Sequence, residues 1–377
     1  MADPSDPLPA AGPRPHQYDE LIREFEAGRR TALSRVISVV ENQRDGFQQV
    51  LHRLHPRLGR AYRIGLTGPP GAGKSTLAAA LIRHYRARGE RVGVVAVDPT
   101  SPYTGGALLG DRIRMNELAL DDGVFIRSMA TRGSPGGLAL TSKEVADVMD
   151  AFGFDRVLLE TVGVGQSELG IASAADSTVV VLVPEAGDSI QAMKAGLMEA
   201  SDVFVINKAD RPGADRMARE VAMMLHLRMG QTLRNVPAHH GIDHAAARAT
   251  RRATTGTHGV RPSREPAAST ETDAAGDWAI PVLQSVAETG QGVPELADTL
   301  DRHLAWLQRS GDLERRRRER LTERVREEVD RTLRRRVWVR GPGTKLLEEG
   351  KEALATGRLT PYELAARIVM AATIAEG

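Results

Sequence analysis

Gly68-Pro69-Pro70-Gly71-Ala72-Gly73-Lys74-Ser75 is the stretch on which the fold turns. It matches G-x-x-x-x-G-K-[ST], the spacing of a phosphate-binding P-loop. The residue types suit the anion they would meet. Glycines admit φ > 0 and let backbone N–H groups come close to phosphate oxygens. A helix starting here aims the positive end of its dipole at the same charge. Lys74 can reach β- and γ-phosphates, and Ser75 offers a hydroxyl to Mg²⁺. The flanks agree: Tyr62–Thr67 (YRIGLT) reads as a short buried strand, and Ser75–Arg88 as a helix with Leu77, Leu81 and Ile82 on one face. The expected phosphate-binding residues are Gly68, Pro69, Gly71, Ala72, Gly73, Lys74, Ser75 and Thr76.

On the carboxyl side, further strands and helices alternate. Arg91–Val97 (RVGVVAV), Val124–Ser128, Asp155–Leu159 (DRVLL), Ser177–Val183 (STVVVLV), Val203–Ile206 and Ile280–Leu283 read as strands. Asp111–Leu118, Thr141–Phe152 and Pro294–Leu307 read as helices. This alternation implies an α/β fold, a P-loop NTPase with a mainly parallel sheet flanked by helices. In such a sheet ligands sit at the carboxyl ends of the strands. Lys74, Asp98, Glu160, Glu185 and Asn207 all fall at or just past such ends.

On the amino side, residues 1–16 are Pro/Ala/Asp-rich and read as disordered. Leu21, Ile22, Phe25, Leu33, Val36, Ile37 and Val40 recur at helical spacing with a break at Gly28, and Phe47–Leu54 adds a third short helix. Residues 17–58 are thus a helical cap ahead of a nucleotide domain spanning 59–310. Within that domain 235–277 has few apolar residues and reads as a disordered insertion. His239, His240 and His244 lie there, and without apolar support a solvated cluster is the better account than a metal site. From 311 to 377 the chain is densely charged. Leu321, Val325, Val329 and Leu333 place one narrow apolar stripe on a long helix, and Pro361–Ile374 forms another amphipathic helix. A single stripe outside a core suits packing on another chain, hence a helical dimerisation arm and a homodimer.

Composition narrows the class. The 377 residues carry 51 Lys+Arg against 49 Asp+Glu, net +2, so nothing favours nucleic acid as a partner. The interleaved acids of the Arg-rich tail point the same way. There is no cysteine, which removes disulfides, thiolate nucleophiles and Cys-ligated zinc. No signal peptide and no apolar run of about 18 residues is present, so the expectation is a cytoplasmic protein without a membrane anchor.

The base is chosen elsewhere. Asn207-Lys208-Ala209-Asp210 is N-K-x-D directly after a strand. The Asp210 carboxylate can accept from guanine N1–H and the N2 amino group; adenine has no donor at N1, and an unpaired polar group discriminates strongly. Lys208 can lay its stem along the base, and Asn207 can tie this loop to the P-loop. Ser285-Val286-Ala287 follows the last strand, and the Ala287 N–H would serve the guanine carbonyl. GTP and GDP are the expected ligands.

These motifs together resemble the MeaB/ArgK family of P-loop GTPases, the G-protein chaperones of adenosylcobalamin-dependent methylmalonyl-CoA mutase. The resemblance rests on GPPGAGKST (68–76), VDPTSPYTGGALLGDRIRM (97–115), RSMATRGSPGGL (127–138), ETVGVGQSE (160–168) and NKAD (207–210). It implies a dimeric NTPase of the SIMIBI class. It also implies that Asp98 and Asp111 are acids near Mg²⁺ in a first switch. Glu160, with Ser75, holds the ion, and Gly163 gives its N–H to the γ-phosphate. Lys74, Asp111, Glu160 and Gln166 form the catalytic set, Gln166 orienting water or standing as an ordinary surface residue. Glu185–Lys194 matches the switch that signals to the mutase, or is a plain strand–helix loop. Two departures are the 235–277 insertion and Val286, where serine is common. The rival expectations are a metallochaperone GTPase, which would want Cys/His ligands near the nucleotide, and a kinase acting on a transport protein.

Overall fold

The computed structural model describes residues 16–98, 117–130, 140–161, 167–184, 198, 201–228 and 278–374. Its strands are β1 (Tyr62–Thr67), β2 (Val92–Asp98), β3 (Val124–Ala130), β4 (Arg156–Thr161), β5 (Ser177–Leu182), β6 (Val203–Asn207) and β7 (Val282–Ser285). They form one sheet in the order β3-β2-β4-β1-β5-β6-β7, with every pairing parallel. Strands β1, β5 and β6 are buried along their whole length, which requires helices on both faces of the sheet.

Period-two alternation sorts the side chains between those faces. Ile64, Leu66, Leu158, Val179, Val181, Val203 and Val205 pack beneath α4 (Lys74–Ala87) and α8 (Val293–Ser310). Val157 and Leu159 turn the other way, toward α5 (Leu140–Phe152), α6 (Ser167–Ala172) and the amino-terminal helices α1 (Asp19–Glu26), α2 (Arg30–Glu41) and α3 (Phe47–Leu54). Val180, Leu182, Phe204 and Ile206 meet α7 (Ala214–Arg228). The α1–α3 cap is fastened by polar contacts as well. Arg30 donates to the carbonyl oxygens of Asp121 (3.1 Å), Asp122 (2.8 Å) and Val124, and Arg127 of β3 pairs with Glu41 of α2.

A buried charge cluster holds the entry to β1. The Asp150 carboxylate, on α5, accepts from the backbone N–H groups of Gly59 (2.9 Å), Arg60 (3.0 Å) and Ala61 (2.9 Å). It also takes the Arg63 guanidinium at 3.1 Å, which pairs with Asp147 at 2.7 Å. Burial opposes the charge of Arg63, but the Asp147 and Asp150 carboxylates outweigh it and hold the guanidinium above its ordinary range. One face of β1 is thus tied to α5 by charge while the other packs on α4 by shape.

The chain divides into two compact units, Met1–Trp306 and Leu307–Gly377. The second holds α9 (Asp312–Arg335), a π-helical turn (Arg336–Arg340), α10 (Gly343–Ala355) and α11 (Pro361–Ile374) around Leu359, Leu364 and Ile368. Leu321, Val325, Val329 and Leu333 of α9 are exposed, Val325 to 63 %. Among the described residues no helix is long and apolar enough to cross a membrane.

Several elements differ from the sequence expectation. The last strand lies at Val282–Ser285, two residues later than Ile280–Leu283, because pairing with β6 begins at Phe204↔Val282. Leu118–Leu120 is a single 3-10 turn rather than a helix end, and 111–116 lie outside the described residues. Helices α6, α7 and α10 carried no expectation. The insertion at 235–277 and the amino-terminal segment 1–15 lie outside the described residues.

Removing the carboxylate at the β1 entry tests the charge cluster. Asp150→Ala strands three backbone N–H groups and removes one of the two carboxylates that face the buried Arg63 guanidinium, and should lower the unfolding free energy by about 3 kcal/mol in urea titration. Asp150→Asn, which keeps an acceptor oxygen, should lose less.

Candidate functional site

All parallel strands of the sheet end on one edge, and the motif residues gather there. Thr67 ends β1, Asp98 ends β2, Asn207 ends β6 and Ser285 ends β7, while Glu160 is the penultimate residue of β4. The register sets Ala96 beside Glu160 and Val97 beside Thr161, so Asp98 stands on the neighbouring strand two residues further toward this edge than Glu160. A doubly covered parallel sheet binds ligands at such an edge.

The phosphate loop leaves β1 and enters α4 with two glycines that no other residue replaces. Gly68 has φ +137°, and a Cβ on it would strike the Val181 carbonyl oxygen. Gly73 has φ +85°, and a Cβ there would strike the Asn207 amide. Gly73 is also the N-cap of α4, and no side chain caps the first turn. Lys74 is buried, and its Nζ donates to the carbonyl oxygens of Gly68 (2.9 Å) and Pro69 (3.0 Å). The ammonium therefore sits over the loop that the sequence assigns to phosphate. Ala72 is fully buried, Thr76 half-buried, and Pro69 and Gly71 lie toward the surface.

Ser75 and Glu160 come together directly. The Ser75 hydroxyl donates to Glu160 Oε1 at 2.5 Å, and both side chains are buried. This pairs the first residue after the P-loop lysine with the acid of β4, a contact between motifs 85 positions apart. An alcohol and a carboxylate side by side make a hard oxygen donor set.

Asn207 joins the base loops to the phosphate loop. Its Nδ2 donates to the Ala72 carbonyl at 2.8 Å, and its Oδ1 accepts from Ser285 Oγ (3.2 Å) and the Ala287 N–H (3.1 Å). The Ala287 N–H, expected to serve a guanine carbonyl, is buried and donates to Asn207. Lys208, expected to lay its stem along a base, reaches the phosphate loop with its ammonium. Its backbone is left-handed (φ +57°) and its Nζ donates to the Gly71 carbonyl at 2.9 Å. Asp210 is exposed beside it, and Val286 is half-buried and bridges Gln291 across the turn. The sequence reading named Ser285 in the last base loop but gave it no role; it closes β7 and its hydroxyl donates to Asn207. Asp111, Gly163, Gln166 and Glu185–Lys194 lie outside the described residues, as does the Asp98 side chain.

Comparison with known proteins follows from this geometry. The family model described as methylmalonyl-CoA mutase-associated GTPase MeaB matches residues 33–341. A Pyrococcus abyssi protein bearing a GTPase name is 44 % identical over 307 residues, covering 81 % of this chain and 82 % of the relative. A mouse protein named methylmalonic aciduria type A homolog, mitochondrial, is 38 % identical over 206 residues, 51 % of this chain and 50 % of its own length. The crystal structure of an LAO/AO transport system kinase superposes with a TM-score of 0.62 at 24 % identity, covering 93 % of this chain and 96 % of its own, and shares the fold. A phosphate loop, a guanine-type N-K-x-D loop bonded to it, and a family match across most of the chain converge on one conclusion: this chain belongs to the MeaB/ArgK family of P-loop GTPases, binding guanine nucleotide and hydrolysing GTP.

Proposed function

We propose that this GTPase is a Mg²⁺-dependent chaperone of an adenosylcobalamin-dependent acyl-CoA mutase, methylmalonyl-CoA mutase or a close relative, gating cofactor loading and protecting the enzyme. The observation that carries the reading is the family match over 33–341, whose description names the mutase. The mouse relative's name, referring to methylmalonic aciduria, supports it. Contact with the mutase is assigned to Glu185–Lys194 on the resemblance alone.

Lys74 would leave the Gly68 and Pro69 carbonyls for the β- and γ-phosphates, exchanging neutral acceptors for charged ones. The uncapped first turn of α4 donates to the same oxygens. Asp210 would select guanine through N1–H and N2, while Asn207 keeps the base loops in register with the phosphate loop. Water attacks the γ-phosphorus, and the β–γ bridging bond breaks to give GDP and phosphate. Gln166 is proposed to orient that water.

The residues present fit Mg²⁺. Ser75 and Glu160 already set an alcohol and a carboxylate oxygen together beside the phosphate loop, as a hard cation with oxygen ligands needs. Asp98 and Asp111 would complete the acidic surround. When bound, Mg²⁺ neutralises phosphate charge. Ser75 and Glu160 would hold the ion through their hydroxyl and carboxylate oxygens.

The second unit would make the dimer. Leu321, Val325, Val329 and Leu333 are 43 %, 63 %, 50 % and 52 % exposed on one stripe of α9, more apolar surface in one row than a solvated helix face carries. A second copy of the chain is the proposed occupant, and Val325→Glu with Val329→Glu should convert the dimer to a monomer in analytical ultracentrifugation while GTP affinity stays within about threefold.

The chaperone reading predicts preference for GTP over ATP by at least about a hundredfold in kcat/KM, the scale set by an unpaired purine edge. It also predicts a GTPase rate that rises at least tenfold when purified methylmalonyl-CoA mutase is added. Phosphate release measured with each nucleotide, with and without the mutase, decides; an unchanged rate with the mutase overturns the partner.

A further inference from the structure

Thr67 is the last residue of β1 and is fully buried. Its hydroxyl has no hydrogen-bond partner among the described residues. The next residue, Gly68, opens the phosphate loop and presents the carbonyl that holds Lys74. In the pairing with β5, Thr67 stands beside Val180, whose side chain packs on the face that carries α7. Two residues earlier on that face, a Cβ on Gly65 would lie 3.1 Å from Ala175 and 3.2 Å from Ile171 of α6. The Thr67 hydroxyl is therefore enclosed under the phosphate loop, on the side of the sheet away from α4.

A buried hydroxyl without a partner costs stability, whereas a valine of the same shape would not. Threonine is stiff at χ1, and moving it from one rotamer well to the next carries the hydroxyl to the place now held by the methyl or the hydrogen without moving the backbone. Thr67 thus offers one polar contact that its present rotamer leaves unused, one peptide bond from the carbonyl that Lys74 must release on meeting phosphate. We propose that Thr67 is a positioning residue of GTP hydrolysis: its hydroxyl makes its hydrogen bond in the GTP-bound arrangement of the loop and so fixes Gly68 and Lys74 for transfer. The proposal rests on the GTPase activity and is independent of the mutase.

Ser142 of α5 provides an internal comparison. It too is fully buried and its hydroxyl has no partner among the described residues, but its helix packs on β2 and β4, apart from the phosphate loop. If unpaired hydroxyls in this core were only tolerated defects, both positions would behave alike.

The test uses the full-length chain carrying Thr67→Val, Thr67→Ser or Ser142→Ala, with steady-state GTP hydrolysis, GDP binding and the unfolding midpoint without nucleotide. Thr67→Val should keep KM and GDP affinity within about twofold and its midpoint at or above that of the parent, while kcat falls at least tenfold, about 1.4 kcal/mol in the barrier. Thr67→Ser should recover kcat to within about threefold, and Ser142→Ala should leave it unchanged. A Thr67→Val chain with parental kcat overturns the proposal. So does a loss of kcat that comes with a lowered midpoint, or one that Ser142→Ala shares, because either marks a structural part only. Should Thr67→Val fail to fold, a folded Thr67→Ser chain whose kcat falls at least tenfold overturns the proposal, because the retained hydroxyl then does not position the loop.

Discussion

One side-chain amide carries the nucleotide site. Asn207 uses Nδ2 to hold the Ala72 carbonyl of the phosphate loop and Oδ1 to hold Ser285 and the Ala287 N–H of the last base loop. Its own backbone ends β6 and begins the N-K-x-D turn. The side chain is buried, so these bonds compete little with water. Gly73 must lack a side chain to let the amide approach, and Lys208, in a left-handed conformation, adds a second strap to Gly71. Base recognition and phosphate binding, assigned to segments more than a hundred residues apart, therefore share one rigid unit.

That unit depends on the sheet beneath it. Parallel strands deliver Thr67, Asp98, Glu160, Asn207 and Ser285 to one edge, and the order β4-β1-β5-β6-β7 sets Glu160, the phosphate loop, the N-K-x-D turn and the Ser285–Ala287 turn in sequence along it. The strand entry is held as firmly as the exit. Asp150 gathers the backbone before β1 and Arg63 within it, anchoring the strand that leads into the phosphate loop. Glu160 lies on β4, the direct neighbour of β1, and this adjacency lets it meet Ser75 at the start of α4.

Much of this was legible in the chain. Strands buried on both faces are continuous apolar runs, so β1, β4, β5 and β6 declared themselves within a residue or two, and the G-x-x-x-x-G-K-S and N-K-x-D spacings identify backbone shapes that few other sequences adopt. What escaped was set by tertiary contact. Ser285 matters only because β7 pairs beside β6, and the commitment of the Ala287 N–H to Asn207 depends on where that strand ends. The resemblance set Glu160 and Ser75 at one ion, but their direct hydrogen bond needs strand order, which local pattern does not encode. Helix α7 was missed because its apolar residues, Met217, Val221 and Leu225, are interspersed with charge beyond a loop of turn formers. Thr67 looked like an ordinary strand residue; only its burial without a partner sets it apart.

The central claim is that the Asn207 amide makes base and phosphate loops one binding unit. Calorimetric titration of the Asn207→Ala chain with GDP tests it most directly, with circular dichroism to establish that the fold is kept. The account predicts binding weakened at least a hundredfold, about 2.7 kcal/mol, with unaltered secondary structure. Affinity within about threefold of the parent, in a folded chain, would contradict it.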